Sequence, residues 1–122
     1  MIDSWSWVEY WKGGRYADRA TEYIEGSETA IASTINLAEV YHSVLRDYDE
    51  KKASEKADTL RKRCYIIPVD EQIAVASARF KHGLKLAMAD SIILATARTR
   101  NAKVLTGDPD FKGLPDTLFI GY

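Results

Sequence analysis

Met88-Ala89-Asp90-Ser91-Ile92-Ile93-Leu94-Ala95-Thr96-Ala97-Arg98-Thr99-Arg100 runs, two residues later, into Lys103-Val104-Leu105-Thr106-Gly107-Asp108-Pro109. In the first part Ile92, Ile93, Ala95, Thr96 and Ala97 make a tightly packable helix face. In the second, Lys103-Val104-Leu105 reads as a strand of a few residues that Gly107 and Pro109 break. A helix that feeds a short apolar strand is the unit of an α/β protein, and the rest of the chain repeats the alternation.

Before this unit, Tyr65-Ile66-Ile67-Pro68-Val69 is a compact apolar strand ended by Pro68. Asp70 then caps a helix that turns Ile73, Ala76 and Phe80 inward and stops at Gly83. Further upstream, Leu37, Val40, Tyr41, Val44 and Leu45 follow helical spacing from Asn36, and a charged helix spans about Asp49 to Arg63. Thr29 to Ser33 reads as a strand. A helix from Arg15 to Glu25 closes at Gly26, and Ser4 to Trp11 places Trp7 and Trp11 four residues apart. A last strand is expected at Leu118-Phe119-Ile120. Only Met1 and Ile2 precede Asp3, so either the first strand is unusually short or the chain starts inside a longer protein.

The composition fits one compact domain over residues 1–122, with 46% hydrophobic and 29% charged residues and three prolines. Repeats, low-complexity tracts and linkers are absent. The single Cys64 cannot form an internal disulfide, and no stretch reads as a signal peptide or membrane span, so a cytoplasmic protein without membrane contact is expected.

The acidic residues recur at one kind of place. Asp3 follows the first strand, Glu39 lies in the first turn of a helix, Asp90 near the start of another, and Asp108 after Val104-Leu105. In a parallel α/β sheet, strand C-termini and the helix N-termini after them gather at one edge. Carboxylates brought together there repel one another unless a cation holds them, and hard oxygen ligands suit Mg²⁺ or Mn²⁺. Such an ion activates water and stabilises a phosphodiester transition state. The net charge of −1 argues against a polyanion partner at first. With Asp3, Glu39, Asp90, Asp108 and Asp110 neutralised in a metal site, however, the rest carries 17 basic against 13 acidic residues, a balance of +4.

Asp3-Ser4, Ser33-Thr34-Ile35-Asn36-Leu37-Ala38-Glu39-Val40, Ala89-Asp90-Ser91-Ile92-Ile93-Leu94-Ala95-Thr96-Ala97 and Leu105-Thr106-Gly107-Asp108-Pro109-Asp110-Phe111 resemble, in order, the four acidic motifs of PIN domains. The resemblance runs from Asp3 to about Phe111 and is nearest to the single-domain VapC-type toxins of toxin–antitoxin pairs. It implies a three-layer α/β sandwich with a mostly parallel sheet of four or five strands flanked by helices. The implied activity is Mg²⁺- or Mn²⁺-dependent hydrolysis of RNA by a homodimer that a small antitoxin protein holds inactive. Asp3, Glu39, Asp90 and Asp108 would be the metal ligands or their water-bridged neighbours, Asp110 an auxiliary acid, and Ser4 and Thr106 the hydroxyls that orient a carboxylate or water.

Each acid has a plainer reading by itself. Asp3 and Asp90 fit helix N-termini, Asn36-x-x-Glu39 has the form of a capping box, and Asp108-Pro109-Asp110 that of a turn. All four motifs in order favour the metal site. A phosphoacceptor receiver domain using Asp70 would need paired acids after the first strand, where Ser4 follows Asp3. A catalytically inactive PIN-like module that binds RNA or protein keeps the fold without the chemistry. His42 and His82 lack a partner spacing for zinc or a triad, and Cys64 fits a core or boundary position. The basic run Arg61-Lys62-Arg63 with Lys51, Lys52 and Lys56 reads as a solvated helix face, or in a lesser reading as RNA contact. Trp5, Trp7, Trp11, Tyr10 and Tyr16 fit either core or an interface for a dimer or antitoxin helix.

Overall fold

The computed structural model describes residues 1–122. Six helices, α1 (Ser4–Lys12), α2 (Ala17–Ile24), α3 (Thr34–Asp47), α4 (Glu50–Arg63), α5 (Glu71–Leu84) and α6 (Met88–Thr99), alternate with strands β1 (Ala30–Ser33), β2 (Cys64–Ile67), β3 (Val104–Thr106) and β4 (Thr117–Phe119). A short 3-10 turn covers Pro109–Phe111. No helix is long and apolar enough to cross a membrane.

β1 pairs with β2 and β3 with β4, both in parallel. The first three residues join the pairs. Ile2 N–H donates to Ile31 O at 3.0 Å, Leu105 N–H to Met1 O at 2.7 Å and Asp3 N–H to Leu105 O at 3.1 Å. The order across the sheet is therefore β2, β1, residues 1–3, β3, β4, and the bridge between Ile2 and Leu105 is parallel as well. The expected sheet is thus present but narrow, with its centre reduced to a single bridge.

Alternation along these segments separates two cores. Ile2, Ala30, Ala32 and Leu105 face a cluster with Trp7, Ala20, Ile24, Val40 and Leu60 from α1–α4. Met1, Val104 and the half-buried Ile31 face the opposite cluster with Ile93, Leu94 and Ala97 of α6 and Phe80 of α5. A period of two in the strands thus puts helices on both faces, giving the three layers. Ala53 and Ala57 are fully buried on α4, where their small side chains let it approach α3.

Several boundaries move by one or two residues, as helix ends do. The helix expected to stop at Gly83 continues to Leu84 and ends at Lys85, which adopts φ 58. Lys81 Nζ donates to Leu86 O at 3.1 Å across this end. Gly13, at φ 63, closes α1 in the same left-handed conformation. Trp7 is wholly buried, so it belongs to the core; Tyr10 and Trp11 pack against that core partly exposed. Burial pushes the Cys64 thiol up to about 11. Within the basic run, Arg63 donates to Tyr23 O and Ile24 O, satisfying the end of α2, and Arg61 pairs with Asp58. His42 and His82 are exposed.

Candidate active site

β1, residues 1–3 and β3 all run in one direction, and α1, α3 and the Pro109 turn start where they end. Asp3, Ser33 and Thr106 therefore lie side by side at one sheet edge. Asp3 holds the N-cap position of α1, yet its side chain makes no cap hydrogen bond. Instead the carboxylate turns into the sheet edge and is 4% exposed. Thr106 Oγ1 donates to its Oδ2 at 2.8 Å, and Asn36 Nδ2 donates to Oδ1 at 3.2 Å. Burial raises the Asp3 pKa to about 7; the Thr106 bond opposes this, and the charges of Glu39 and Asp90 add to it.

Glu39 is the sixth residue of α3, hence in its second turn and not its first. It accepts from Ser4 Oγ at 2.7 Å. The capping-box reading of Asn36 and Glu39 is overturned, because the box is formed one turn earlier. Ser33 Oγ accepts from Ile35 N–H at 3.1 Å while Asn36 Oδ1 accepts from Ser33 N–H at 2.9 Å. The carboxylate of Glu39 is thus free of any cap.

Asp90, the third residue of α6, is half-buried. Its pKa rises to about 6, first through burial and then through the charges of Asp108, Asp110 and Glu39. Asp108 follows β3, and its N–H donates to Thr106 Oγ1 at 3.0 Å. Its carboxylate accepts from Asp110 N–H at 3.0 Å, so the turn reading holds for this acid. The turn, anchored by the fully buried Phe111, folds Asp110 back. One carboxylate oxygen each from Asp90, Asp108 and Asp110 lies within 4.8 Å of the others.

The site has two halves. Asp3, Ser4, Asn36, Glu39 and Thr106 form a hydrogen-bonded half; Asp90, Asp108 and Asp110 form a compact acidic half. The field of Asp90 on Asp3, and of Glu39 on Asp90, couples them. Two features differ from the sequence reading. Asp110 is as close to its neighbours as Asp90 and Asp108 are, and each hydroxyl serves an acid distant in sequence, Ser4 holding Glu39 and Thr106 holding Asp3. Asn36 was missed as a site residue, although a polar residue one turn before Glu39 on an otherwise apolar face was a signal.

Other candidates fall away. Asp70 caps α5 by accepting from Ile73 N–H at 2.8 Å, so the acid that a receiver domain would use is spent in a helix cap. A cavity of about 440 Å³ opens at the opposite end of the strands between Met1, Tyr23, Arg63 and Lys103. It contains one carboxylate, Glu28, and no acidic cluster.

Residues 1–116 match the PIN domain family model. The chain belongs to the PIN-domain family. No curated protein matches it significantly. Among solved structures, this PIN domain is similar to a toxin-antitoxin complex from Klebsiella pneumoniae, with 26% identity over 96% of this chain and 93% of the other, at a TM-score of 0.78. It shares its fold with VapBC2 from Rickettsia felis bound to a promoter DNA fragment, at 21% identity, 98% and 95% coverage and a TM-score of 0.74. The same holds for VapBC-1 from nontypeable Haemophilus influenzae, at 19% identity, 99% and 96% coverage and a TM-score of 0.72. These likenesses each span nearly the whole of this chain.

Proposed function

We propose that this PIN domain is a divalent-metal-dependent endoribonuclease and the toxin of a VapBC-type pair, acting in the cytoplasm on RNA. The observation that carries the reading is the gathering of Asp3, Glu39, Asp90, Asp108 and Asp110 at the carboxyl edge of the sheet. Nothing cationic in the chain pairs with these five side chains. The raised pKa of Asp3 and of Asp90 marks the cost of holding them together. A site that raises carboxyl pKa values by burial and mutual repulsion is suited to a cation.

The donor set fits Mg²⁺ or Mn²⁺, since every donor is a hard carboxylate oxygen and the Asp90, Asp108 and Asp110 oxygens are close enough for one ion to touch. Those three would hold it, with Asp3 and Glu39 at its side. Such an ion supplies charge stabilisation for the phosphodiester transition state and acidifies the attacking water. The chain's own groups do the rest. Ser4 holds Glu39, Thr106 and Asn36 hold Asp3, and Thr106 accepts the N–H of Asp108, so three acids share one rigid frame. In the metal-free protein burial leaves Asp3 near half-protonation at neutral pH, and a cation at the acidic half would favour its ionised form.

An antitoxin partner is proposed from the likeness to the Klebsiella complex. A homodimer is proposed from the family resemblance, and the exposed Val75, Leu84 and Met88 on α5 and the start of α6 offer apolar surface for it. The test is incubation of the purified protein with a total RNA pool in Mn²⁺ or in chelator, alongside Asp90→Asn. Cleavage confined to wild type with Mn²⁺ supports the reading. Intact RNA in every lane, or cleavage that Asp90→Asn retains, overturns it and leaves a binding module.

A further inference from the structure

Asn36 is fully buried, and its carboxamide uses both ends. Oδ1 accepts from Ser33 N–H at 2.9 Å. Nδ2 donates to Asp3 Oδ1 at 3.2 Å and to Ser4 Oγ at 3.0 Å. Ser4 Oγ in turn donates to Glu39 Oε1 at 2.7 Å. We infer that Asn36 is a positioning residue for the metal site, presetting Asp3 directly and Glu39 through Ser4.

The direction of every bond follows from one fixed point. A main-chain N–H can only donate, so Ser33 obliges the amide oxygen to face it. Flipping the amide would set N–H against N–H at Ser33 and oxygen against carboxylate at Asp3, losing both bonds. With the amide locked, both Nδ2 protons point away from the cap. One reaches Asp3. The other occupies a lone pair of Ser4 Oγ, which leaves the Ser4 proton for Glu39. A hydroxyl that already accepts is also a better donor, because hydrogen bonds in a chain polarise one another.

A helix cap needs only the oxygen of Asn36. Its two donors reach nothing but Asp3 and the serine that holds Glu39, and these link the first two acidic motifs, which lie on different elements. Thr106 makes the corresponding link from Asp3 to Asp108 N–H. Fixing carboxylates before an ion arrives reduces the reorganisation that binding would otherwise require, and partners of this kind are commonly worth about 10- to 100-fold in metal affinity.

The inference rests on the metal-site reading of Asp3 and Glu39, and the test separates the two. Mn²⁺ affinity is measured by calorimetry for wild type, Asn36→Ala, Ser4→Ala and, as a cap-only control, Ser33→Ala, which removes the acceptor for Ile35 N–H. Metal-free melting temperatures are recorded in parallel. Ser33→Ala should lower the melting temperature and keep the Mn²⁺ Kd within about twofold. Asn36→Ala should raise Kd about tenfold or more, Ser4→Ala should raise it by less, and the double variant should be weakened by less than the product of the two single effects because the Asn36–Ser4 bond is common to both.

A second readout needs no metal. In the NMR spectrum of the metal-free protein, both Asn36 side-chain amide protons should be protected from hydrogen exchange, and Ser4→Ala should expose one of them. Asn36→Ala and Ser33→Ala with equal melting losses and wild-type Kd would reduce Asn36 to a cap, as would exchange of both wild-type amide protons at the rate of a free amide. Absence of Mn²⁺ binding in wild type would remove the metal reading, and the exchange result would still decide whether Asn36 presets the carboxylates. Should Asn36→Ala not fold, the exchange pattern and the Ser4→Ala affinity carry the decision.

Discussion

Replacing Asp3 with asparagine should stabilise the metal-free protein above neutral pH, an unusual result for a 4%-exposed side chain with two hydrogen bonds. The folded state holds the Asp3 proton up to about pH 7, whereas the unfolded chain releases it near 3.8. Between these values the folded state binds more protons, so stability falls as pH rises through the interval and the loss is complete above it. At about 1.4 kcal/mol per tenfold change in protonation, the ionised carboxylate costs on the order of 4 kcal/mol. Asparagine keeps an oxygen for Asn36 Nδ2 but presents N–H to Thr106, whose hydroxyl must turn elsewhere at a cost of about 1 kcal/mol. The expected net gain at pH 8 is about 2–3 kcal/mol, or roughly 10 °C in melting temperature for a chain of this size. At pH 4 the gain should vanish. Urea unfolding from pH 4 to pH 8 in chelator measures it. Parallel profiles for the two proteins, or a variant less stable at pH 8, would refute the assignment of that cost to Asp3.

Glu39→Gln keeps an oxygen for Ser4 and leaves the Ser33–Asn36 cap intact, so its metal-free melting temperature should match or exceed wild type while RNA cleavage falls at least about 100-fold; retained cleavage would return Glu39 to a surface role. Thr106→Val keeps the shape and removes the hydroxyl that opposes the rise at Asp3, so the pH interval of falling stability should extend upward, with about 1–3 kcal/mol lost from the orphaned bonds to Asp3 and Asp108. An unchanged pH profile would contradict this. On α4, Ala57→Leu forces a side chain into the fully buried contact with α3 and should cost about 1–3 kcal/mol in urea titration without changing Mn²⁺ affinity.

The three layers were legible because strand alternation is local: Met1 and Ile2, Val104 and Leu105 each send neighbours to opposite cores whatever the rest of the chain does. Three of the acids at the sheet edge were legible for a similar reason, since Asp3 and Asp108 follow strands and Asp90 opens a helix, whereas Glu39 lies one turn further in. The narrowness of the sheet was hinted at by two residues before Asp3, but the way Ile2 bridges Ile31 and Leu105 depends on contacts distant in sequence. Spacing misassigned Asn36. Its distance to Glu39 imitates a capping box, whereas Ser33 begins the helix, and a box with asparagine as its third residue lies outside the usual Glu or Gln pattern. Asp110 was read as auxiliary because a Pro109 turn does not announce its direction. Burial of Phe111 sets that direction and brings Asp110 to Asp90. The end of α5 was placed at Gly83 because glycine is the usual left-handed cap, and here Lys85 takes the conformation instead.

Proton release on metal binding tests the acidic edge as a cation site most directly. Mn²⁺ is titrated into the metal-free protein at pH 6.5 in buffers of different ionisation enthalpy. With Asp3 at about 7 and Asp90 at about 6, an ion that requires both ionised should displace about one proton in total. The release should fall well below half of that in Asp3→Asn, and binding should be lost in Asp90→Asn. Wild-type protein that takes up no Mn²⁺, or that binds it without releasing a proton, would contradict the account.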